Sequence, residues 1–218
     1  MLSATQHAAV TSDAARPLQI LAGPGSGKTR VLTSRVAHLV RDSAAPIAPE
    51  RCVVVTFTNR AANEMRARLE TMIGADRTRR LVLGTFHAVC VRFLRRWGTR
   101  LGLDPRFTIA DTDDARRLLR DVDRDAPVDA TLAAISRAKA HGWTPDELRA
   151  SAQHAPGSPA HTEHLALCRT YAAYQQQLRT SHALDFDDLL LLGVRLFREH
   201  PELTSHIDHV LVDEFQDT

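Results

Sequence analysis

The sequence predicts an α/β fold, a parallel sheet with flanking helices, interrupted by a helical insertion. Three observations carry that expectation. Four short apolar runs, LQILA (18–22), CVVVTF (52–57), LVLGTF (81–86) and HVLVDEF (209–215), have the near-continuous hydrophobicity of strands covered on both faces. Helical stretches at 28–40 and 60–72 separate the first three, at a length suited to βαβ crossovers. AGPGSGKT (22–29) is a glycine-rich run placed between a predicted strand and a predicted helix, the context of a phosphate-binding loop.

The first strand delivers the chain into that loop. Gly23, Gly25 and Gly27, with Ser26 among them, let backbone N–H groups turn inward around phosphate oxygens, and the helix that follows places its positive end there. Lys28 then reaches the β- and γ-phosphates as a mobile point charge, and Thr29 offers a hydroxyl to Mg²⁺. The first position of the pattern is Ala22 where glycine is usual, the smallest change available, so the loop is expected to close normally. The second strand ends in TFTN (56–59) and the third in GTFH (84–87), at the carboxyl edge where open α/β sheets bind ligands.

After Arg106 the texture becomes rich in alanine, arginine and aspartate, broken by turn signals at 126–127, 142–145 and 155–159. Thr144 before Pro145, Asp146 and Glu147 reads as a helix start. No strand-like run returns until 209, so residues 111–183 are expected to form a helical insertion. It separates 1–110, the first part of the α/β domain, from 184–218, its return. The last strand presents Asp213 and Glu214. Beside a phosphate loop, Asp213 can hold Mg²⁺ through its water shell and Glu214 can accept a proton from an attacking water.

Composition fits a soluble globular chain: 218 residues, 44% hydrophobic and 25% charged, with net charge +2. That charge is unevenly spread. From 51 to 106 twelve arginines face four acids, whereas from 107 to 218 nineteen acids face eleven bases. A basic middle suits a polyanion partner, and it equally suits solvated helix faces. Phe57 and Phe86 could stack on unpaired bases with Arg92, Arg95 and Arg96 supplying field, or they could be core aromatics beside a solvated face. Only Lys28 and Lys139 among the 28 basic residues are lysine, so each invites a reason for a compact ammonium over a planar fork. Cys52, Cys90 and Cys168 lack zinc-ligand or disulfide spacing and are expected to be reduced thiols. MLSATQHAAV has no signal-peptide character and no run is long enough to span a bilayer, so a cytoplasmic location without membrane association is expected.

Together these segments resemble the N-terminal part of superfamily 1 DNA helicases of the UvrD/Rep/PcrA type. LSATQHAAV is similar to that family's Q motif, AGPGSGKTR to motif I, VVVTFTNRAANEM to motif Ia and GTFHAVCVRFLRR to motif Ib. DFDDLL (185–190) is similar to the segment before motif II, and VDEFQDT to motif II. The resemblance implies a RecA-like P-loop NTPase domain that binds ATP and Mg²⁺, with Thr29 and Asp213 on the metal. It implies that Gln6 reads adenine, that Arg30 lies against the base, and that Gln216 senses the nucleotide state beside catalytic Lys28 and Glu214. Thr56, Phe57, Asn59, Thr85 and His87 would meet single-stranded DNA, and Lys139 in the accessory insertion would touch it as well.

The family's second RecA-like domain, its motif III and the strands that follow motif II have no counterpart here. The sequence is therefore expected to be truncated after the Walker B strand, incomplete for turnover, and to need that second domain from the same parent chain or a split partner. The parent would be a nucleoid-associated 3′–5′ helicase acting on single-stranded or 3′-tailed duplex DNA. Two alternatives stay open: a helicase-nuclease subunit, and a stand-alone nucleotide- or DNA-binding module without turnover.

Overall fold

The computed structural model describes residues 2–152 and 155–217. In chain order its elements are α1 (Ala4–Thr11), α2 (Lys28–Ala37), β1 (Cys52–Thr56), α3 (Asn59–Ile73), α4 (Ala75–Arg80), β2 (Val82–Thr85), α5 (Phe86–Trp97), β3 (Thr108–Ile109), α6 (Thr112–Val122), α7 (Val128–Ala140), α8 (Pro145–Ala150), α9 (Pro159–Thr180), β4 (Ala183–Leu184), α10 (Phe186–Glu199) and β5 (His209–Val212). They form two compact units, one of residues 1–89 with 201–218 and one of residues 90–200.

The first unit is an α/β layer. Its sheet has the order β2-β1-β5, all parallel, with Val54 opposite Leu83 on one side and Leu211 on the other. β1 is buried throughout, as its unbroken Val run requires. Val36, Leu39, Cys52, Val54, Met65, Leu69, Leu81 and Leu211 close one core beneath α2 and α3. Helix α3 begins where the Thr58 hydroxyl caps the Ala61 N–H at 3.1 Å and ends at Gly74, whose φ of 85° a side chain would disfavour.

One predicted strand is absent. Residues 18–22 form no sheet pairing among the described residues, and Leu21 is 86% exposed. The physical reason is a missing neighbour. A cleft of about 770 Å³ separates the segment from β5, lined by Leu18, Ile20 and Leu21 on one wall and Val210 and Val212 on the other. Val210, on the outer edge of β5, is 59% exposed. An extended apolar run becomes a strand only when another ladder satisfies its backbone, and here none is within reach.

The second unit is helical around Leu119, Ile135, Tyr171, Tyr174 and Leu178. Asp111, Thr144 and Asp185 start α6, α8 and α10 with reciprocal capping boxes, and Pro145 and Pro159 open α8 and α9. Phe93, Trp97 and Phe197 form an aromatic cluster with ring centroids 5.2 to 6.2 Å apart. Two findings differ from the sequence expectation. The compact unit is wider than 111–183, because residues 90–97 of α5 and all of α10 belong to it. It also contains strand, a two-residue parallel pairing of β3 with β4 fixed by Thr108 N–H to His182 O and Ala110 N–H to Leu184 O, each at 2.9 Å.

Lys139 corrects the reading of its role. It lies on α7 with a wholly buried side chain, its ammonium 2.6 Å from Asp185 and 2.8 Å from Asp188. Its side chain presents no surface. Part of the basic middle is engaged within the fold: Arg66 donates to the Leu83 carbonyl, Arg80 pairs with Glu50, Arg51 with Asp208, and Arg95 donates to the carbonyls of Pro105 and Phe107.

All three thiols are free. Burial pushes Cys52 up to about 12 and Cys90 up to about 11, and raises Cys168 in the same direction. Alkylation at pH 8 is therefore expected to run about a hundredfold slower in the folded chain than in guanidinium; equal rates would contradict the burial described here. Among the described residues no helix is long and apolar enough to cross a membrane.

Candidate nucleotide-binding site

The loop of residues 22–27 takes the shape its glycines allow. Gly25 has φ 73° and Gly27 φ 87°, both left-handed, and Gly27 sits at the N-cap of α2 where no side chain caps the helix. The Ser26 N–H and hydroxyl close back on the Gly23 carbonyl at 3.3 and 2.6 Å. The first turn of α2 carries no acidic residue, so its free N–H groups and positive end face the loop uncompensated. The Lys28 ammonium rests on the Ala22 carbonyl at 3.3 Å, an exposed contact it can exchange for a stronger acceptor. Arg30 is exposed on the first turn. Gln6 reaches the loop from α1, its amide donating to the Ser26 carbonyl at 2.9 Å.

β5 brings the carboxylates to the same cleft, whose walls include Lys28, Asp213, Glu214 and Gln216. The Asp213 N–H extends the ladder to the Val55 carbonyl at 2.9 Å, which fixes where the side chain leaves the sheet. Asp213 is 9% exposed. Burial, reinforced by neighbouring Glu214, pushes its carboxyl above the ordinary value, against the pull of the Lys28 charge. Glu214 has φ 51°, a conformation disfavoured for a side chain by about 1 kcal/mol or more and concentrated at functional sites. Gln216, itself exposed, donates to the Glu214 carboxylate. Thr29 and Asp213 supply the hard oxygens suited to a small divalent cation that keeps water and phosphate as its remaining ligands.

The same carboxyl edge carries the second group of predicted residues, because Thr56 and Thr85 are paired in register at the ends of β1 and β2. Phe57 is 59% exposed, which removes the core-aromatic reading. Asn59 opens α3 in the open, while the Thr85 hydroxyl accepts the Ala88 N–H at 3.3 Å and His87 lies one residue into α5. Thr56 differs. It is fully buried, and its hydroxyl donates to the Thr58 carbonyl at 3.1 Å, so it shapes the turn that presents Phe57 and gives no surface of its own.

Sequence reasoning overlooked Arg35. It lies on α2 four residues after buried Val31 and four before buried Leu39 in the turn of π-helix that follows, and is itself buried. A charge interrupting such a stripe was the available signal.

The fold and loop define a P-loop nucleotide-binding domain with an exposed aromatic at the sheet's carboxyl edge. Residues 2–218 match the model of the UvrD/REP helicase N-terminal domain, and the chain belongs to that family. Among curated relatives it is 41% identical over 213 residues to the ATP-dependent DNA helicase PcrA of Leuconostoc citreum, an alignment covering 93% of this chain and 27% of that protein. The PcrA proteins of Staphylococcus epidermidis and Staphylococcus aureus are 38% and 37% identical, each alignment covering 93% of this chain and 28% of theirs. The chain thus spans less than a third of the length of the relatives it matches.

Proposed function

We propose that this chain is the N-terminal, ATP-binding part of an ATP-dependent 3′–5′ DNA helicase. The observation that carries the reading is the convergence of Lys28, Asp213 and Glu214 on one cleft, with Phe57 exposed at the same sheet edge. Backbone N–H groups of the 23–27 loop and the start of α2 bind the phosphates, and Lys28 moves from the Ala22 carbonyl to the β- and γ-oxygens. Thr29 and Asp213 hold Mg²⁺, which neutralises charge on those phosphates. Glu214 orients and deprotonates water, Gln6 reads adenine, Arg30 covers the base, and Gln216 reports the nucleotide state to the DNA edge. A raised Asp213 fits a group whose charged form is stabilised only when a cation is present.

Translocation and unwinding belong to a longer protein in this reading. A further strand fills the cleft between residues 18–21 and β5, the helical unit serves as the accessory insertion, and a second RecA-like domain supplies arginines to the γ-phosphate. An arginine delivered in that way is worth about 10³ to 10⁵ in rate. The substrate is single-stranded or 3′-tailed duplex DNA in the nucleoid.

Phe57, Asn59, Thr85 and His87 form the strand-binding edge, with Thr56 beneath them. One stacked base contributes about 1 to 3 kcal/mol, so Phe57→Ala is expected to weaken oligo(dT) binding about 5- to 100-fold in fluorescence anisotropy. Wild-type affinity should also fall as salt rises. Unchanged affinity in the variant, or salt-independent binding, would contradict the assignment.

A further inference from the structure

Helix α1 carries Gln6 but has little of its own to hold it in place. It is two turns long, and of its eight residues only Val10 is buried. A helix that short is unstable in isolation. Its start is secured by a capping box, in which the Ser3 N–H donates to the Gln6 side-chain oxygen at 2.9 Å and the Gln6 N–H donates to the Ser3 hydroxyl at 3.2 Å. Its end is secured by Arg35 of α2. Nη1 of that guanidinium lies 3.2 Å from the Ala9 carbonyl, 3.0 Å from Val10 O, 3.1 Å from Ser12 O and 2.9 Å from the Ser12 hydroxyl. These include C-terminal carbonyls left without helical partners, at the negative end of the helix dipole.

Arg35 is 7% exposed and forms no ion pair among the described residues; burial lowers its proton affinity with no carboxylate to offset it. A buried cation with carbonyls as its partners is an expensive way to pack two helices. Its position gives the reason. α1 touches α2 at both ends: through Gln6 at the loop, where a side chain on Gly27 would come within 3.2 Å of the Gln6 amide nitrogen, and through Arg35 two turns further along. Two attachments fix the direction of α1, and hence where the Gln6 amide sits above the phosphate loop.

We propose that Arg35 is a positioning residue for nucleotide specificity, acting through α1 to hold Gln6 at the distance from the phosphate loop that base recognition requires. This rests on the reading of Gln6 as the adenine contact. The guanidinium itself touches no nucleotide.

The test compares Mg·ATP with Mg·inorganic triphosphate binding to the full chain, because triphosphate reports the loop alone. Gln6→Ala should reduce the preference for ATP over triphosphate about fivefold, the value of one hydrogen bond. Arg35→Met, which keeps the aliphatic stem, should do the same, and the double variant should add nothing further. Arg35→Lys, which returns a cation to the α1 carbonyls, should recover part of the preference. If Arg35→Met keeps the wild-type preference while Gln6→Ala loses it, the inference is wrong and the adenine reading stands. If Arg35→Met weakens ATP and triphosphate equally, Arg35 only holds the loop together and the inference is again wrong. If Gln6→Ala changes nothing, the adenine reading fails and the inference falls with it.

Discussion

Replacing Lys139 with methionine is expected to destabilise the helical unit by about 3 to 5 kcal/mol, the range for breaking a buried charge pair from one side. The ammonium sits between Asp185 and Asp188 at 2.6 and 2.8 Å, with the rings of Tyr171 and Tyr174 at 5.8 and 5.4 Å. The Tyr174 hydroxyl donates to Asp185 at 3.0 Å and the Gln175 amide to Asp188 at 3.1 Å. Methionine fills the space of the stem but leaves two carboxylates facing each other out of water. A compact ammonium that reaches both carboxylates from one point gives this one of the chain's two lysines a role.

The pH dependence follows from Asp188. Burial pushes its carboxyl up, Lys139 pulls it down and Asp185 pushes it up; in the variant the pull of Lys139 is gone, and burial and the Asp185 charge act against the Asp185 N–H hydrogen bond alone. A carboxyl whose folded value exceeds its unfolded value binds more protons when folded, so the variant should lose stability as pH rises from about 4 through that raised value. Guanidinium titrations followed by tryptophan fluorescence read this unit directly, since Trp97 and Trp143 both lie in it. A loss below about 1 kcal/mol at pH 7.5, or greater loss at acid pH, would contradict the account.

What the sequence made legible was whatever local chemistry dictates. The 22–29 loop announces itself because left-handed glycines, a lysine and a hydroxyl are needed in that order, and β5 because an apolar run ends on two acids. What stayed hidden depends on partners far away along the chain. LQILA has every local property of a strand and lacks only a neighbouring ladder. Lys139 finds its carboxylates 46 residues later, and no periodicity in ISRAK reports that. Arg35 shows as a charge in an apolar stripe, but the carbonyls it reaches, 23 to 26 residues back, leave no mark in that pattern. Phe57 could be placed at the sheet edge from its strand, but its exposure depends on how the Thr56–Thr58 turn folds.

Lys28→Ala is expected to weaken Mg·ATP binding about 10- to 100-fold, the equivalent of roughly 1.5 to 3 kcal/mol for a hydrogen bond with a charged partner. The residue can make that difference because its contact in the free chain is a single exposed carbonyl at 3.3 Å, readily exchanged for phosphate. Asp213 lies close enough for the Lys28 charge to act on it, so the variant should also lose part of the Mg²⁺ dependence of binding. The decisive measurement is a calorimetric titration of Mg·ATP into the wild-type chain and the Lys28→Ala variant under identical conditions. The account predicts saturable one-site binding by the wild type and affinity at least tenfold weaker in the variant. Equal affinities, or a wild-type chain that binds no nucleotide, would contradict it.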